Sequence, residues 1–237
     1  MSDPELTSNI PHLTSHNYAI IVAGGSGSRM HSVVLKQFLL LNGLPVLMHT
    51  INAFHNCETR PQIIVVLPAD SHEYWNTLCA THNFEVPHQL ISGGETRFHS
   101  VKKGLGLIDD DDAIVAIHDA VRPLISKEII DDSYDCAAKY GNAIVAVKSR
   151  DSVRQIKDNR SVSLIRDEIY LIQTPQTFQS GQLKKAYQQQ YQANFTDDAS
   201  VVEQTGVNIN LIGGSHQNIK ITFPEDIAIA EFLLKSS

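Results

Sequence analysis

Only three cysteines, Cys57, Cys79 and Cys136, occur in 237 residues, widely spaced and odd in number. That excludes a disulfide framework, and with no Cys-x-x-Cys pair a cysteine zinc site is not indicated either. There is no basic run or basic pole. Lys and Arg total 19 against 26 Asp and Glu, a formal charge of −7, which argues against a nucleic-acid partner. No apolar run is long enough to span a membrane, and the polar start over 2–16 does not read as a signal peptide, so a cytoplasmic protein is expected. His72-Glu73 lacks the second histidine of a zinc-protease helix, and Gly25-Ser26-Gly27 is not a nucleophile elbow. Neither an internal repeat nor a low-complexity segment occurs.

What is present is alternation. After a disordered extension over 1–16, one domain is expected over 17–237. Apolar strands over 19–23, 63–67, 88–92, 113–118 and 143–147 alternate with amphipathic helices over 45–55, 71–82, 96–107 and 127–140. Such alternation implies a single Rossmann-like α/β domain, a mostly parallel twisted sheet with helices on both faces. Ligands of such sheets gather at the carboxyl ends of strands. Residues 148–171 break the rhythm: they are polar and β-branched, with Asp158-Asn159 as a turn between 153–156 and 162–165. This reads as a protruding two-stranded arm. An isolated hairpin is marginal in water, which points to a second subunit as the surface it packs on. The chain is then expected to return through a strand over 171–174, helices over 180–193 and 197–204, strands over 208–212 and 219–221, and a helix from Pro224.

The first strand runs into Ala23, Gly24, Gly25 and Gly27, followed by Arg29 and Lys36-Gln37. Glycines let a backbone approach phosphates closely, and successive N–H groups there form an anion-binding concavity. Ser28-Arg29 after Gly27 rules out a Walker A loop, and Met30 stands where a dinucleotide fingerprint needs a small residue. Glycines with two fixed cations suit a nucleoside triphosphate. This pattern resembles the nucleotidyltransferases that join a nucleoside monophosphate to a phosphorylated sugar.

Further clusters fall at strand ends: Gly93-Gly94-Glu95-Thr96-Arg97-Phe98-His99-Ser100, His118-Asp119-Ala120-Val121-Arg122-Pro123, Thr174-Pro175-Gln176, Thr196-Asp197-Asp198-Ala199-Ser200 and Asn218-Ile219-Lys220. Taken singly each has an ordinary structural explanation, such as a turn, a helix start or a local ion pair. Their order and combination, from about residue 18 to 234, resemble the 2-C-methyl-D-erythritol 4-phosphate cytidylyltransferases. The ribitol-5-phosphate cytidylyltransferases share most of the set and are the first alternative. A non-catalytic nucleotide-sensing domain is the second, disfavoured by three cations gathered for one phosphorus.

The resemblance implies transfer of CMP from CTP to a polyol phosphate, with Mg2+ as cofactor and a homodimer formed through the arm. By the family's pattern Arg29, Lys36 and Lys220 are catalytic, stabilising the α-phosphate and departing pyrophosphate, and Ala23, Gly24, Gly25 and Gly27 approach the phosphates. Gly94, Glu95 and Ser100 would recognise cytosine, with Arg97 bracing their loop. Asp119 and Ala120 would meet the ribose and the acceptor's hydroxyls beside Arg122, with Asp119 also a candidate Mg2+ ligand. Ser152, Arg166 and Thr196 would hold the acceptor phosphate, the arm residues reaching into the partner's site. Leu35 departs from the usual proline before Lys-Gln, which implies a more mobile Lys36 loop.

Overall fold

The structure is a computed structural model that describes residues 17–23 and 34–235. The extension over 1–16 and most of the glycine-rich loop, with Gly24, Gly25, Gly27 and Arg29, lie outside the described residues.

The chain opens with β1 (Asn17–Val22), then β2 (Leu40–Leu41) and β3 (Leu44–Pro45), a small hairpin leading into α1 (Val46–His55). Next come β4 (Gln62–Leu67), α2 (His72–Thr81), β5 (Gln89–Ser92), α3 (Arg97–Leu105), β6 (Ile114–Asp119), α4 (Lys127–Tyr140) and β7 (Asn142–Lys148). The arm is β8 (Arg154–Lys157) and β9 (Arg160–Ser163). The chain finishes with β10 (Tyr170–Gln179), α5 (Ser180–Ala186), α6 (Asp198–Glu203), β11 (Leu211–Gly213) and α7 (Glu225–Lys235).

Seven strands form the main sheet in the order β11-β7-β10-β6-β1-β4-β5. Every pairing is parallel except those of β10, which runs antiparallel to both β6 and β7. Side chains alternate across this sheet, so each strand feeds two cores. Ala19 and Ile21 pack with Leu47, Ile51, Trp75 and Ile130 on the face covered by α1, α2 and α4. Ile20 and Val22 pack with Phe98, Val101, Leu183 and Val202 on the opposite face, under α3, α5 and α6. Burial on both faces is why these strands read as continuous apolar runs. Helix α4 keeps its expected bounds because both ends are capped. The Ser126 side chain accepts from the Ile129 N–H, and Gly141 supplies the left-handed residue at φ 90°.

The later elements depart from the sequence expectation for local reasons. Strand β10 runs straight through Pro175, where the register shifts between Ile172 and Gln176, so the missing N–H falls at an irregularity. Helix α5 stops at Ala186, well short of 193. Beyond the buried Tyr187 the stretch 188–193 is Gln-rich and mostly exposed, and a helix without an apolar face to bury has little to hold it. Strand β11 begins at Leu211 because the Asn142 side-chain amide takes the Asn208 carbonyl and the Asn210 N–H instead of a ladder. No strand forms at 219–221; the segment is joined to the turn after β6 by the Ile221 N–H to Val121 carbonyl bond.

Strands β1, β4 and β5 step outward in one direction, and β6 returns to the other side of β1. That switch point brings Val22 and Asp119 side by side at the carboxyl ends of the two strands.

Candidate active site

Asp119 ends β6 with its side chain only 10% exposed, and three cations converge on it. Lys220 Nζ lies 2.9 Å from Oδ2, Arg122 Nε 3.3 Å from Oδ2, and Arg97 Nε 3.6 Å from Oδ1. Burial alone would raise this carboxyl, but Arg97, Lys220 and Arg122 outweigh it and hold it well below the usual carboxylate range. Asp119 is ionised at any physiological pH. Its backbone N–H donates to Thr174 Oγ1, which ties it to β10.

Each cation is aimed by its own support. Arg97 opens α3 directly after Thr96, whose side chain caps the helix by accepting from the His99 N–H. Burial works against its charge, yet Asp198 and Asp119 bind the proton more firmly than in a free guanidinium. Arg122 gives Nη1 to the Asn218 carbonyl at 2.8 Å, and Asn218 in turn donates to the Thr174 carbonyl. Lys220 follows Asn218 on the segment anchored by Ile221 and remains 40% exposed.

Two adjoining cavities meet at this cluster. One, of about 250 Å3, is lined by Val22, Ala23, Lys36, Gln37 and Val121. The other, of about 270 Å3, is lined by Arg122, Gln173, Thr174, Thr196 and Asp197. Arg97, Asp119 and Lys220 line both, so they form the shared wall. Ala120 is fully buried behind Asp119, its carbonyl accepting from Thr50 Oγ1.

Lys36 is only 9% exposed, in the turn Lys36–Phe38. Leu35 takes φ −61° and ψ 138°, the backbone that proline would fix, and packs against the core. Leucine thus holds a backbone conformation that proline would also accept. Gln37, given no role from the sequence, donates to the Ala23 carbonyl at 3.3 Å and so holds the start of the glycine-rich loop.

In the 93–100 loop the fully buried Ser100 hydroxyl accepts from the Gly94 N–H and donates to the Thr96 carbonyl, each at 3.0 Å. A Cβ on Gly94 would collide with His99, so glycine is required for this close approach. Lys103 Nζ holds the Gly93 carbonyl at 2.8 Å, and Glu95 is exposed. Ser100 thus shapes the loop from beneath.

Ser152 and Arg166 line neither cavity of their own chain. The arm carrying them is exposed throughout β8 and β9, its turn built on Asp158 and Asn159 at φ 49° and 58°. Arg166 is 55% exposed beside Asp167.

Asp198, read from the sequence only as part of a helix start and given no site role, is fully buried and grips Arg97 from behind; its local signal is an acidic residue one step past a helix cap. Gln176, also given no site role, accepts from the Ala199 N–H and donates to Asp197 and thereby docks α6 on β10.

The fold and the site define a nucleotidyltransferase domain: a doubly wound sheet whose switch point carries a buried carboxylate, clustered cations and the start of a glycine-rich loop. The family model described as IspD, 2-C-methyl-D-erythritol 4-phosphate cytidylyltransferase, matches residues 18–236, and the chain belongs to that family. The enzyme of that name from Bacteroides fragilis is 45% identical over 216 residues, covering 91% of this chain and 98% of the relative. That from Porphyromonas gingivalis is 46% identical over 220 residues, covering 92% and 98%. The crystal structure of the Francisella tularensis enzyme superposes with a TM-score of 0.75 at 34% identity, covering 91% of this chain and 98% of that one. The 4-diphosphocytidyl-2C-methyl-D-erythritol synthase of Anaerococcus prevotii gives 0.79 at 29%, covering 92% and 96%.

Proposed function

We propose that this chain transfers CMP from CTP to 2-C-methyl-D-erythritol 4-phosphate, giving 4-diphosphocytidyl-2-C-methyl-D-erythritol and pyrophosphate in isoprenoid precursor biosynthesis. The observation that carries this reading is the shared wall of Arg97, Asp119 and Lys220 between two cavities, one beside Lys36 and one beside Thr196. Two anionic substrates placed on either side would meet there. An oxygen of the acceptor phosphate attacks the α-phosphorus of CTP, and the bond from that phosphorus to the β-bridging oxygen breaks. Pyrophosphate carries away the electron pair, and no bond to the enzyme forms. Such a reaction asks the protein for position and for positive charge where the phosphoryl oxygens gain negative charge.

In this reading Lys36 and Lys220 face the α-phosphate and the leaving group, together with Arg29 of the glycine-rich loop. Asp119 meets the ribose and the acceptor hydroxyls. Ala120, expected beside it, is fully buried, its N–H donating to the Val22 carbonyl and its carbonyl accepting from Thr50, and so backs Asp119 without touching substrate. Thr196 and Arg122 border the acceptor side. The 93–100 loop, held by Ser100 and Lys103, presents Gly94 and Glu95 to cytosine.

Among the described residues no three His, Cys, Asp or Glu side chains cluster to cage a metal. One ionised carboxylate beside a triphosphate site is the donor set suited to Mg2+, which takes its remaining ligands from phosphates and water. Asp119 would hold it, and the ion would neutralise triphosphate charge and favour departure of pyrophosphate.

The arm supplies the rest of the proposal. Ile156, Val162, Ile165, Leu171 and Ile172 are exposed along it and its base, an apolar surface that suits a second copy of this chain. A homodimer would cover those residues and carry Ser152 and Arg166 to the partner's acceptor pocket. The test is pyrophosphate release from CTP with either polyol phosphate. Release that depends on methylerythritol phosphate supports the reading. Preference for ribitol 5-phosphate moves it to the sister reaction, and binding of CTP without release leaves a sensor.

A further inference from the structure

Asp198 takes no part in the roles assigned above, yet both of its carboxylate oxygens are engaged. Its side chain has no exposed surface. Arg97 Nη1 donates to Oδ1 at 2.8 Å and Nη2 to Oδ2 at 2.6 Å, a bidentate pair, and the Tyr187 hydroxyl donates to Oδ1 at 2.6 Å. Asp197 caps α6, so the neighbouring Asp198 is left to face Arg97 and Tyr187. Tyr187 is itself 1% exposed and stacks on Phe98 at 4.6 Å, the residue that follows Arg97 on α3. A buried ion pair is a poor way to gain stability, since its desolvation offsets most of its attraction. Its geometry is where to look for a purpose.

Two edges of the guanidinium are thereby fixed. The Nη edge belongs to Asp198, and the Nε edge is turned toward Asp119 at 3.6 Å. Asp119 is also the partner of Lys220, which sits on the wall of both cavities. For Lys220 to serve a phosphate it must leave a carboxylate 10% exposed, which is costly unless the other two cations stay behind. Arg122 is held on Oδ2 by the Asn218 carbonyl, and Arg97 is the one that must balance Oδ1. Arg97 can stay only if it is held.

We propose that Asp198, buttressed by Tyr187, is a positioning residue: it locks Arg97 against Asp119 so that Lys220 is released to the CTP phosphates. The inference rests on the phosphate-transfer reading of this site. Without the Asp198 charge, Arg97 is free to swing out of the wall, and Lys220 stays bound to Asp119.

The test is a cycle of Asp198→Asn, Lys220→Ala and their double variant, with turnover and CTP binding by calorimetry measured on each. Asp198→Asn should lower kcat tenfold or more. Adding Lys220→Ala to it should cost far less than the same change costs the wild type, because Lys220 is already withheld. Asp198→Glu should restore most of the loss. A merely structural role for Asp198 would lower thermal stability but leave the two losses multiplicative. Multiplicative losses, or an Asp198→Asn protein with kcat and CTP affinity within twofold of wild type, overturn the proposal. If Asp198→Asn does not fold, Tyr187→Phe takes its place in the same cycle. Should the wild type release no pyrophosphate with either acceptor, the reaction assignment fails, while the CTP-binding cycle still decides the role of Asp198.

Discussion

Lys220 and Asp119 meet at the switch point of the sheet with Nζ 2.9 Å from Oδ2, and both face the two cavities. The pair joins the last residue of β6 to a segment about a hundred positions later, so it links the central sheet to the closing part of the chain. Asp119→Asn keeps the shape and removes the charge. Arg97, Arg122 and Lys220 would then lie close together without their common anion. Removing one partner of a buried pair typically costs about 3 kcal/mol or more. Urea denaturation should register a loss on that scale, with a fall in kcat as the cations disperse. A variant as stable as the wild type would mean that the cations do not depend on Asp119.

Lys36 offers a separate test of the charge argument. The residue is 9% exposed and lines the cavity that holds Ala23 and Gln37. Lys36→Ala should lower kcat by roughly 100-fold, the scale of losing one electrostatic stabiliser of a transition state. Circular dichroism and a melting curve should stay close to wild type, because Gln37 keeps its bond to the Ala23 carbonyl. Turnover near wild type would remove Lys36 from the mechanism.

His118 sets a pH dependence of stability. It is fully buried, edge-on to Phe54, with Nε2 3.2 Å from the Arg122 carbonyl. Burial lowers it from 6.5 to about 4, opposed by the Arg122 carbonyl and Asp119 and reinforced by the nearby Arg122 and Arg97 charges. Between these values the unfolded chain takes up a proton that the native protein refuses, so stability falls as pH drops through that window. Asp119 stays charged in the native protein throughout the same range, and because its unfolded counterpart titrates only near the ordinary carboxylate value it adds little to the change above pH 4.5. A shift of that size corresponds to roughly 2 to 3 kcal/mol between neutral pH and pH 4.5. Urea unfolding of wild type and His118→Gln at both pH values checks it. The drop on acidification should be smaller in the variant by about that amount.

Much of this site could be read from the residues because each contributor sits in a local signal. Asp119 closes an apolar run, Arg97 follows a helix-capping Thr96, and Ala23 directly follows the first strand. The alternation of Ala19, Ile20, Ile21 and Val22 between two cores was legible for the same reason. What escaped depends on distance in the chain. Arg97 and Asp198 are 101 positions apart, and no local pattern joins them. Pro175 misled because it argues against a continuous strand, and only the pairing of β10 with both β6 and β7 carries the strand past it. The burial of Lys36 was hidden too, since a cation after a glycine-rich loop gives no sign of the core that Phe38 pulls it toward.

The last prediction concerns the arm. Arg166 is 55% exposed and lines neither cavity of its own chain, while Lys36 lines one of them. If the arm serves a partner, each complete site takes Lys36 from one subunit and Arg166 from the other. Lys36→Ala and Arg166→Ala proteins should each be nearly inactive alone. Subunit exchange between them yields a mixed dimer with one site carrying both defects and one carrying neither. With random exchange half of the dimers are mixed, so activity should recover to about a quarter of wild type per site, an expectation of the two-fold symmetry of such dimers. Native mass spectrometry on differently tagged chains would confirm that exchange took place. Mixed dimers that form and yet stay as inactive as their parents would place Arg166 in its own subunit's site and end the shared-site reading.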